Sequence, residues 1–230
     1  MGNDLILKVR DLNVELDRRS IIKNLSFTVR KGEIITILGP NGAGKTVLLK
    51  CLLGLLPYTG EIEWGKDIKI GYVPQRLPFI KDIPLSVMDF FALKRSPVRE
   101  VRDIVHAVGF GEELLSRRTG DLSSGQFQRI LIAWALVGGP QVLLFDEPTT
   151  GIDAGGEETI YNFLAKLKEE RRLTMLLVTH DLSVVFKFST YVICLGRRAA
   201  CYGPPHEVLT TERLQSLYGS EVKYYIHEPR

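Results

Sequence analysis

A glycine-rich loop between a short apolar strand and a leucine-rich helix constrains this chain more than any other feature. The strand is predicted over Glu33–Leu38, and the helix is predicted over Val47–Leu56. The loop between them reads GPNGAGKT and fits the pattern GxxxxGK[ST]. In such a loop successive backbone N–H groups and the helix N-terminus point at phosphate oxygens. The sequence therefore predicts that the chain binds a nucleoside triphosphate.

Two residues at the end of this loop carry specific chemistry. Lys45 is expected to reach the β- and γ-phosphates, and Thr46 is expected to offer its hydroxyl oxygen to Mg²⁺. A turn that merely joins a strand to a helix would explain neither residue. The loop residues expected at the phosphates are Gly39, Pro40, Asn41, Gly42, Ala43, Gly44, Lys45 and Thr46.

A second apolar strand ends in two adjacent carboxylates. The run Val142–Phe145 is followed directly by Asp146 and Glu147. We expect Asp146 to hold the magnesium shell at the floor of the phosphate site and Glu147 to act as the general base on water. An apolar strand that runs into an acidic turn is common, so this pair gains its meaning from the glycine loop.

The order of the predicted elements indicates the α/β class. Three apolar strands, Val142–Phe145, Met175–Val178 and Tyr191–Leu195, follow one another, with a helix over Glu157–Arg171 between the first two, which predicts a parallel sheet with crossover helices. Further strands are predicted at Leu5–Val9, Ile21–Val29, Gly60–Trp64 and Ile68–Val73, and a helical insertion is predicted from Pro84–Leu93, Val98–Val108 and Gln126–Val137.

Composition excludes several classes of protein. With 30 basic and 27 acidic side chains among 230 residues, the chain lacks the dense basic face of a nucleic-acid binder. No apolar run reaches the roughly 18 residues that cross a bilayer, and the N-terminus does not have the pattern of a signal peptide. Cys51, Cys194 and Cys201 form no CxxC pair and are odd in number, so they predict neither a disulfide framework nor a zinc site, and a reducing cytoplasm fits best.

A third motif, LSSGQ at Leu122–Gln126, opens a predicted helix. Ser123 could simply cap that helix. A serine and a glycine at a helix start also form a nest of N–H groups for an anion, although the chain already has one phosphate loop. In the order found here, the three motifs resemble those of ABC transporter ATPases, in which the LSGGQ motif of one subunit closes over the ATP held by another subunit.

The resemblance extends over nearly the whole chain and implies roles for further residues. Gln75 resembles the Q-loop glutamine that contacts magnesium and the attacking water. Asp153 resembles the D-loop aspartate that crosses the dimer interface, and His180 resembles the switch histidine that contacts the γ-phosphate and orients Glu147. The motif residues expected to grip the ATP of the opposite subunit are Ser123, Ser124, Gly125 and Gln126.

The same resemblance implies a fold and an assembly. It implies a P-loop NTPase core with a parallel sheet, an N-terminal antiparallel β subdomain and a helical insertion, divided at residues 1–74, about 76–138 and 139–230. It also implies a homodimer around ATP and Mg²⁺, bound to an integral membrane permease at the cytoplasmic face of the membrane and served by an external substrate-binding protein. No nucleic-acid partner is expected.

Two positions depart from the family pattern. Ser124 stands where the motif usually has glycine, and we expect activity to survive this change. Leu16 stands where the family usually has an aromatic residue that stacks on adenine, so this platform is missing or is supplied by another residue.

Two other functions stay open, a soluble ABC ATPase that acts on the ribosome or DNA and a different P-loop enzyme such as a small-molecule kinase. The segments Tyr72–Leu93 and Cys194–Leu209 resemble the ATPases of zinc and manganese importers, with chelated iron as another possibility. We expect no cargo site, since His106, His206 and His227 are isolated.

The apolar residues after Gln75 form a candidate docking surface for the permease. Leu77 and Phe79 are expected to line a groove for a short helix of that partner, whereas Val87 and Phe91 either contribute to it or pack in the core of the insertion.

Overall fold

The computed structural model describes residues 4–75, 84–149, 152, 154–196 and 200–218, without the side chains of 154–157. The strands in this part of the chain are β1 Leu5–Leu16, β2 Arg19–Arg30, β3 Ile34–Leu38, β4 Thr59–Trp64, β5 Ile70–Val73, β6 Val142–Asp146, β7 Thr174–Val178, β8 Tyr191–Cys194 and β9 Cys201–Gly203. The helices are α1 Lys45–Leu52, α2 Val87–Ala92, α3 Val98–Ala107, α4 Ser124–Leu136, α5 Ala154–Arg171, α6 Leu182–Phe188, α7 Pro205–Val208 and α8 Thr211–Tyr218. Short 3₁₀ turns lie at Glu112–Ser116 and Thr119–Asp121.

The N-terminal sheet is antiparallel, in the order β2-β1-β4. Its first hairpin turns at Asp17 and Arg18, whose φ angles of 49° and 60° are those of a tight two-residue turn that follows the twist of the strands. The buried residues of β1, such as Leu12 and Val14, alternate with exposed ones along most of the strand, so one face of the sheet packs on the core. The strand predicted at Leu5–Val9 is confirmed but is longer, because alternation continues beyond a bulge.

The central sheet has the order β5-β6-β7-β3-β8-β9. Every described pairing in it is parallel except that of β8 with β9. All residues of β3, β6 and β7 are buried, which is why these strands are mostly apolar in the sequence. The predicted parallel sheet is confirmed, and it brings the carboxyl ends of β3, β6 and β7 to one edge.

The buried residues of the helical insertion belong to one hydrophobic core with residues of the central sheet, such as Leu143 and Phe145. Helix α2 begins at Val87, later than the predicted Pro84, because Ser86 forms a capping box with Asp89. Val87 and Phe91 are both 0% exposed, so the interpretation that these two residues pack in the core of the insertion is confirmed. Leu77 and Phe79 lie outside the described residues, and so does Asp153.

The cysteines correct one expectation. Cys194 and Cys201 form a disulfide, although their number and spacing in the sequence did not predict one. They stand directly opposite each other in the antiparallel pair of β8 and β9, a relation that appears only when the strands pair. Cys51 is a free thiol, and burial raises its pKa.

The C-terminal elements β9, α6, α7 and α8 were not predicted. They are short, and their apolar residues Val185, Val208 and Leu214 pack on β8 rather than forming a long periodic face. No helix in the described part of the chain is both long and apolar enough to cross a membrane.

Candidate active site

The glycine loop joins β3 to α1, and at two of its glycines the backbone lies very close to neighbouring segments. A Cβ atom on Gly39 would lie 2.3 Å from the carbonyl oxygen of Leu195, and one on Gly44 would lie 2.7 Å from the side chain of Ile21. Gly44 also has a φ of 96°, which disfavours other residues. The loop is therefore packed between β8 and the start of β2, and only glycine fits at these two positions.

Lys45 turns its ammonium group into the loop. Its Nζ donates to the carbonyl oxygen of Gly39 at 2.8 Å and lies 3.5 Å from Oε1 of Glu147. The side chain is only 6% exposed, so its positive charge acts in a partly dehydrated space. This is the electrostatic environment that a triphosphate requires.

Asp146 is held through both of its carboxylate oxygens. Thr46 Oγ1 donates to Oδ1 at 3.0 Å, and the hydroxyl of Tyr72 donates to Oδ2 at 3.4 Å. Burial raises the pKa of Asp146, an effect opposed by the hydrogen bond from Thr46. Burial, and then the nearby charge of Asp146, raise the pKa of Tyr72 to about 12, so its hydroxyl keeps its proton.

These oxygens fit Mg²⁺. That ion prefers hard oxygen ligands and is usually held by one or two carboxylates together with substrate phosphates. Thr46 and Asp146 offer a hydroxyl and a carboxylate oxygen within 3.0 Å of each other. The described residues contain no group of three or more His, Cys, Asp or Glu side chains suited to a metal, so a cage made of protein ligands alone is not present among them.

Glu147 lies at the mouth of the site in a strained conformation. Its φ of 49° is unusual for a residue other than glycine, and its N–H donates to the carbonyl oxygen of Val178 at 3.2 Å. Its side chain is 15% exposed, and its Oε2 accepts a hydrogen bond of 2.9 Å from Nε2 of Gln75. Lys45 and Gln75 thus meet at the predicted general base.

His180 follows the neighbouring strand. Because Asp146 pairs with Val178 in the register of β6 and β7, residues that follow both strands lie at the same edge of the sheet. His180 is the second residue after Val178, and it is exposed. The fold therefore places it next to the loop that carries Glu147.

The LSSGQ segment forms the first turn of α4. Ser123 Oγ accepts from the N–H of Gln126 at 3.2 Å, and Gln126 Oε1 accepts from the N–H of Ser123 at 3.0 Å. Ser123 is thus a helix cap, the simpler of its two interpretations. Ser123 and Ser124 are exposed, and no atom lies within 4 Å of a Cβ built on Gly125, so this helix start is open to a ligand from outside.

Comparison with known proteins identifies the family. The family model described as ABC transporter matches residues 22–150. This chain belongs to the ABC transporter family. A zinc import ATP-binding protein ZnuC from Cereibacter sphaeroides is 40% identical over 93% of this chain and 88% of its own length. ZnuC 1 from Hahella chejuensis is 37% identical over 94% of this chain and 84% of its own length.

Solved structures agree with this assignment. An ABC transporter of the metal-chelate type in an inward-facing conformation superimposes with a TM-score of 0.84 at 27% identity, covering 94% of this chain and 89% of the other. An ATP-binding cassette in its ADP conformation gives a TM-score of 0.80 at 23% identity over 94% of this chain and 99% of the other, a likeness of fold. The chain is an ABC-type ATPase that binds and hydrolyses ATP, so the alternative of a small-molecule kinase is wrong.

Sequence reasoning missed Tyr72 as a partner of Asp146. Tyr72 stands three residues before Gln75 on β5, the strand next to β6. A tyrosine in an otherwise apolar strand that leads to a predicted site was the signal available. Its hydroxyl could be assigned to Asp146 only once the pairing of β5 with β6 was known.

Proposed function

We propose that this ABC ATPase powers the import of zinc through a separate membrane permease. The observation that carries the chemistry is the convergence of Lys45 and Gln75 on Glu147 beside the Thr46–Asp146 pair. The observation that favours zinc is the 37–40% identity, over most of the chain, to proteins named zinc import ATP-binding proteins.

The proposed mechanism assigns one task to each group. Backbone N–H groups of the glycine loop and Lys45 bind the phosphates of ATP. Mg²⁺, held by Thr46 and Asp146 with Gln75 nearby, would neutralise the charge on the β- and γ-phosphates. The Glu147 carboxylate accepts a proton from the water that attacks the γ-phosphate, and Gln75 and His180 orient that water.

The contacts of Glu147 suggest how ATP binding prepares the base. Its two oxygens contact Lys45 and Gln75. Once Lys45 binds phosphate oxygens, its electrostatic interaction with the Glu147 carboxylate becomes weaker. Gln75 can then turn its amide toward the water. The carboxylate then has an oxygen available for the proton.

Assembly completes the proposed site. Ser123, Ser124, Gly125 and Gln126 start α4 with an exposed face, and we assign them to the γ-phosphate of ATP bound by a second copy of the chain. Asp153 is assigned to the same dimer interface. The dimer would bind the permease at the cytoplasmic face of the membrane, and an external binding protein would deliver the metal to that permease.

Zinc is cargo for the permease rather than a ligand of this chain. His106 is exposed and lies 4.0 Å from Glu112, and the ring of His206 contacts that of Phe186 at 5.1 Å. Neither belongs to a cluster of metal ligands among the described residues, and His227 lies outside them. Manganese and chelated iron are the alternative cargoes.

Metal uptake in cells tests the proposal. A strain that lacks the gene for this chain should regain uptake of radioactive zinc when the wild-type chain is supplied, but not when Glu147→Gln is supplied at the same level. Uptake of manganese and of chelated iron is measured in parallel. Zinc uptake that does not depend on the chain would contradict the proposed cargo, and restored uptake of one of the other metals would identify the substitute.

A further inference from the structure

A buried cluster of three hydroxyl groups lies behind the active site. Tyr161 on α5 places its hydroxyl 3.3 Å from Thr149 Oγ1 and 3.2 Å from Thr179 Oγ1. Tyr161 and Thr149 are each 5% exposed, and Thr179 is 2% exposed. Buried hydroxyl groups are unfavourable unless they are hydrogen-bonded, so this arrangement is specific rather than incidental.

The cluster joins the two loops that carry the proposed catalytic groups. Thr149 follows Glu147 by two residues, and Thr179 directly precedes His180. The N–H of Asp181 donates to Thr179 Oγ1 at 3.1 Å, which extends the cluster to the start of α6. One direction of donation satisfies all three oxygens: from Asp181 to Thr179, from Thr179 to Tyr161, and from Tyr161 to Thr149.

The conformation of Glu147 requires support of this kind. A non-glycine residue with a φ of 49° keeps that conformation only when surrounding contacts hold it. The hydrogen bond from Glu147 N–H to Val178 provides one contact on β7. The contact of Thr149 with Tyr161, and through it with Thr179, provides a second one to the loop that follows the same strand.

Packing alone does not account for the hydroxyl of Tyr161. Its ring stacks on Phe188 at 6.3 Å and belongs to the main hydrophobic core, where phenylalanine would pack as well. Its hydroxyl makes the described hydrogen bonds that tie the two loops together.

We infer that Tyr161 is a positioning residue for hydrolysis, which sets Glu147 and His180 relative to each other through Thr149 and Thr179. The inference rests on the proposed roles of Glu147 and His180. Tyr161 is only 5% exposed, and we assign it no direct contact with the nucleotide or the reacting water. Its loss should therefore slow turnover without weakening the binding of ATP.

The test is Tyr161→Phe in the full chain. Because small displacements of reacting groups can reduce rates by up to about 10²-fold, we expect kcat to fall roughly 10-fold with a KM for ATP within about 2-fold of wild type. Thr179→Val should reproduce this loss, and Thr179→Ser should show a smaller one because it keeps a hydroxyl. Tyr202→Phe is the matched control, since it removes a hydrogen bond of 2.7 Å to Thr28, near the end of β2 and seven residues beyond the Ile21 that packs on the glycine loop, and its kcat should be unchanged.

Hydrogen exchange gives a readout that needs no activity. Tyr161→Phe should speed amide exchange of Glu147 and Asp181 while leaving β3 as protected as in wild type. A wild-type kcat, or unchanged exchange at both loops, would overturn the inference, and a uniform loss of protection that includes β3 would reduce Tyr161 to a structural role. A Glu147→Gln variant that still hydrolyses ATP would instead refute the proposed base, whatever the exchange result.

Discussion

Two side chains contact the carboxylate of Glu147. Lys45 supplies a positive charge, and Gln75 donates a hydrogen bond. We expect Glu147→Gln to bind MgATP but to hydrolyse it roughly 10²–10⁴-fold more slowly, the usual effect of losing a positioned acid–base group. Calorimetric binding and steady-state turnover measure the two effects separately. Lys45→Ala is the contrasting variant, because it should weaken binding itself. Near-normal turnover of Glu147→Gln would mean that another group is the base.

A second single residue, Leu16, bears on how the chain recognises the adenine base. It is half-buried at the end of β1, in the hairpin whose next strand packs Ile21 on Gly44 of the glycine loop. If adenine lacks an aromatic platform there, Leu16→Tyr should tighten ATP binding by about 0.5–1.5 kcal/mol. Leu16→Met controls for side-chain size without an aromatic ring. An affinity that stays the same or falls would indicate that another residue already covers adenine.

Asp146 illustrates a conflict between stability and function. Since burial raises its pKa above the ordinary value of 3.8, the charged form destabilises the metal-free fold at neutral pH, and this penalty disappears as the pH falls toward 3.8. Asp146→Asn should therefore raise the melting temperature of the metal-free protein at pH 8, and the difference should shrink as the pH is lowered toward 3.8. The exposed Asp103→Asn serves as a control. A lower melting temperature for Asp146→Asn at pH 8 would contradict the expectation.

At the scale of elements, the start of α4 is the surface that needs a second subunit. Its capping box is complete within the chain, while its exposed face is assigned to ATP on another copy. We expect the Glu147→Gln variant to be monomeric without nucleotide and dimeric with MgATP by sedimentation. Adding Ser123→Arg should abolish that dimer by steric and charge conflict. Ser116→Arg, at an exposed serine that ends the 3₁₀ turn Glu112–Ser116, should not. A Glu147→Gln chain that stays monomeric at every concentration would contradict the shared site.

At the scale of the whole molecule, hydrolysis performs transport work only if another protein moves with it. Leu77 and Phe79 follow Gln75 in the sequence, so a partner bound there would respond to whether ATP occupies the site. We expect Phe79→Asp to keep the ATPase activity of the isolated chain but to abolish co-purification with the permease and metal uptake in cells. Leu55→Asp, at a side chain 64% exposed outside the insertion, is the control. A Phe79→Asp variant that assembles and transports normally would place the docking surface elsewhere.

The fold class and most of the elements could be predicted from the sequence alone. The buried strands β3, β6 and β7 could be predicted because a strand covered on both faces is mostly apolar, and the glycine loop could be predicted because its chemistry lies in eight consecutive residues. The pattern also indicated Lys45, Thr46, Asp146 and Glu147 as neighbours, since parallel strands end at one edge of a sheet. Their assigned roles remain predictions to be tested by the variants above.

The contacts between groups from distant segments became visible only in the folded chain. Strand pairing placed Tyr72 on Asp146, joined Cys194 to Cys201 across an antiparallel pair, and brought Tyr161 between Thr149 and Thr179. Each of these contacts depends on register and packing across elements, and no local pattern in the chain encodes it. Local propensity and motif chemistry act over a few residues, whereas the geometry around a catalytic group is set by which elements lie side by side.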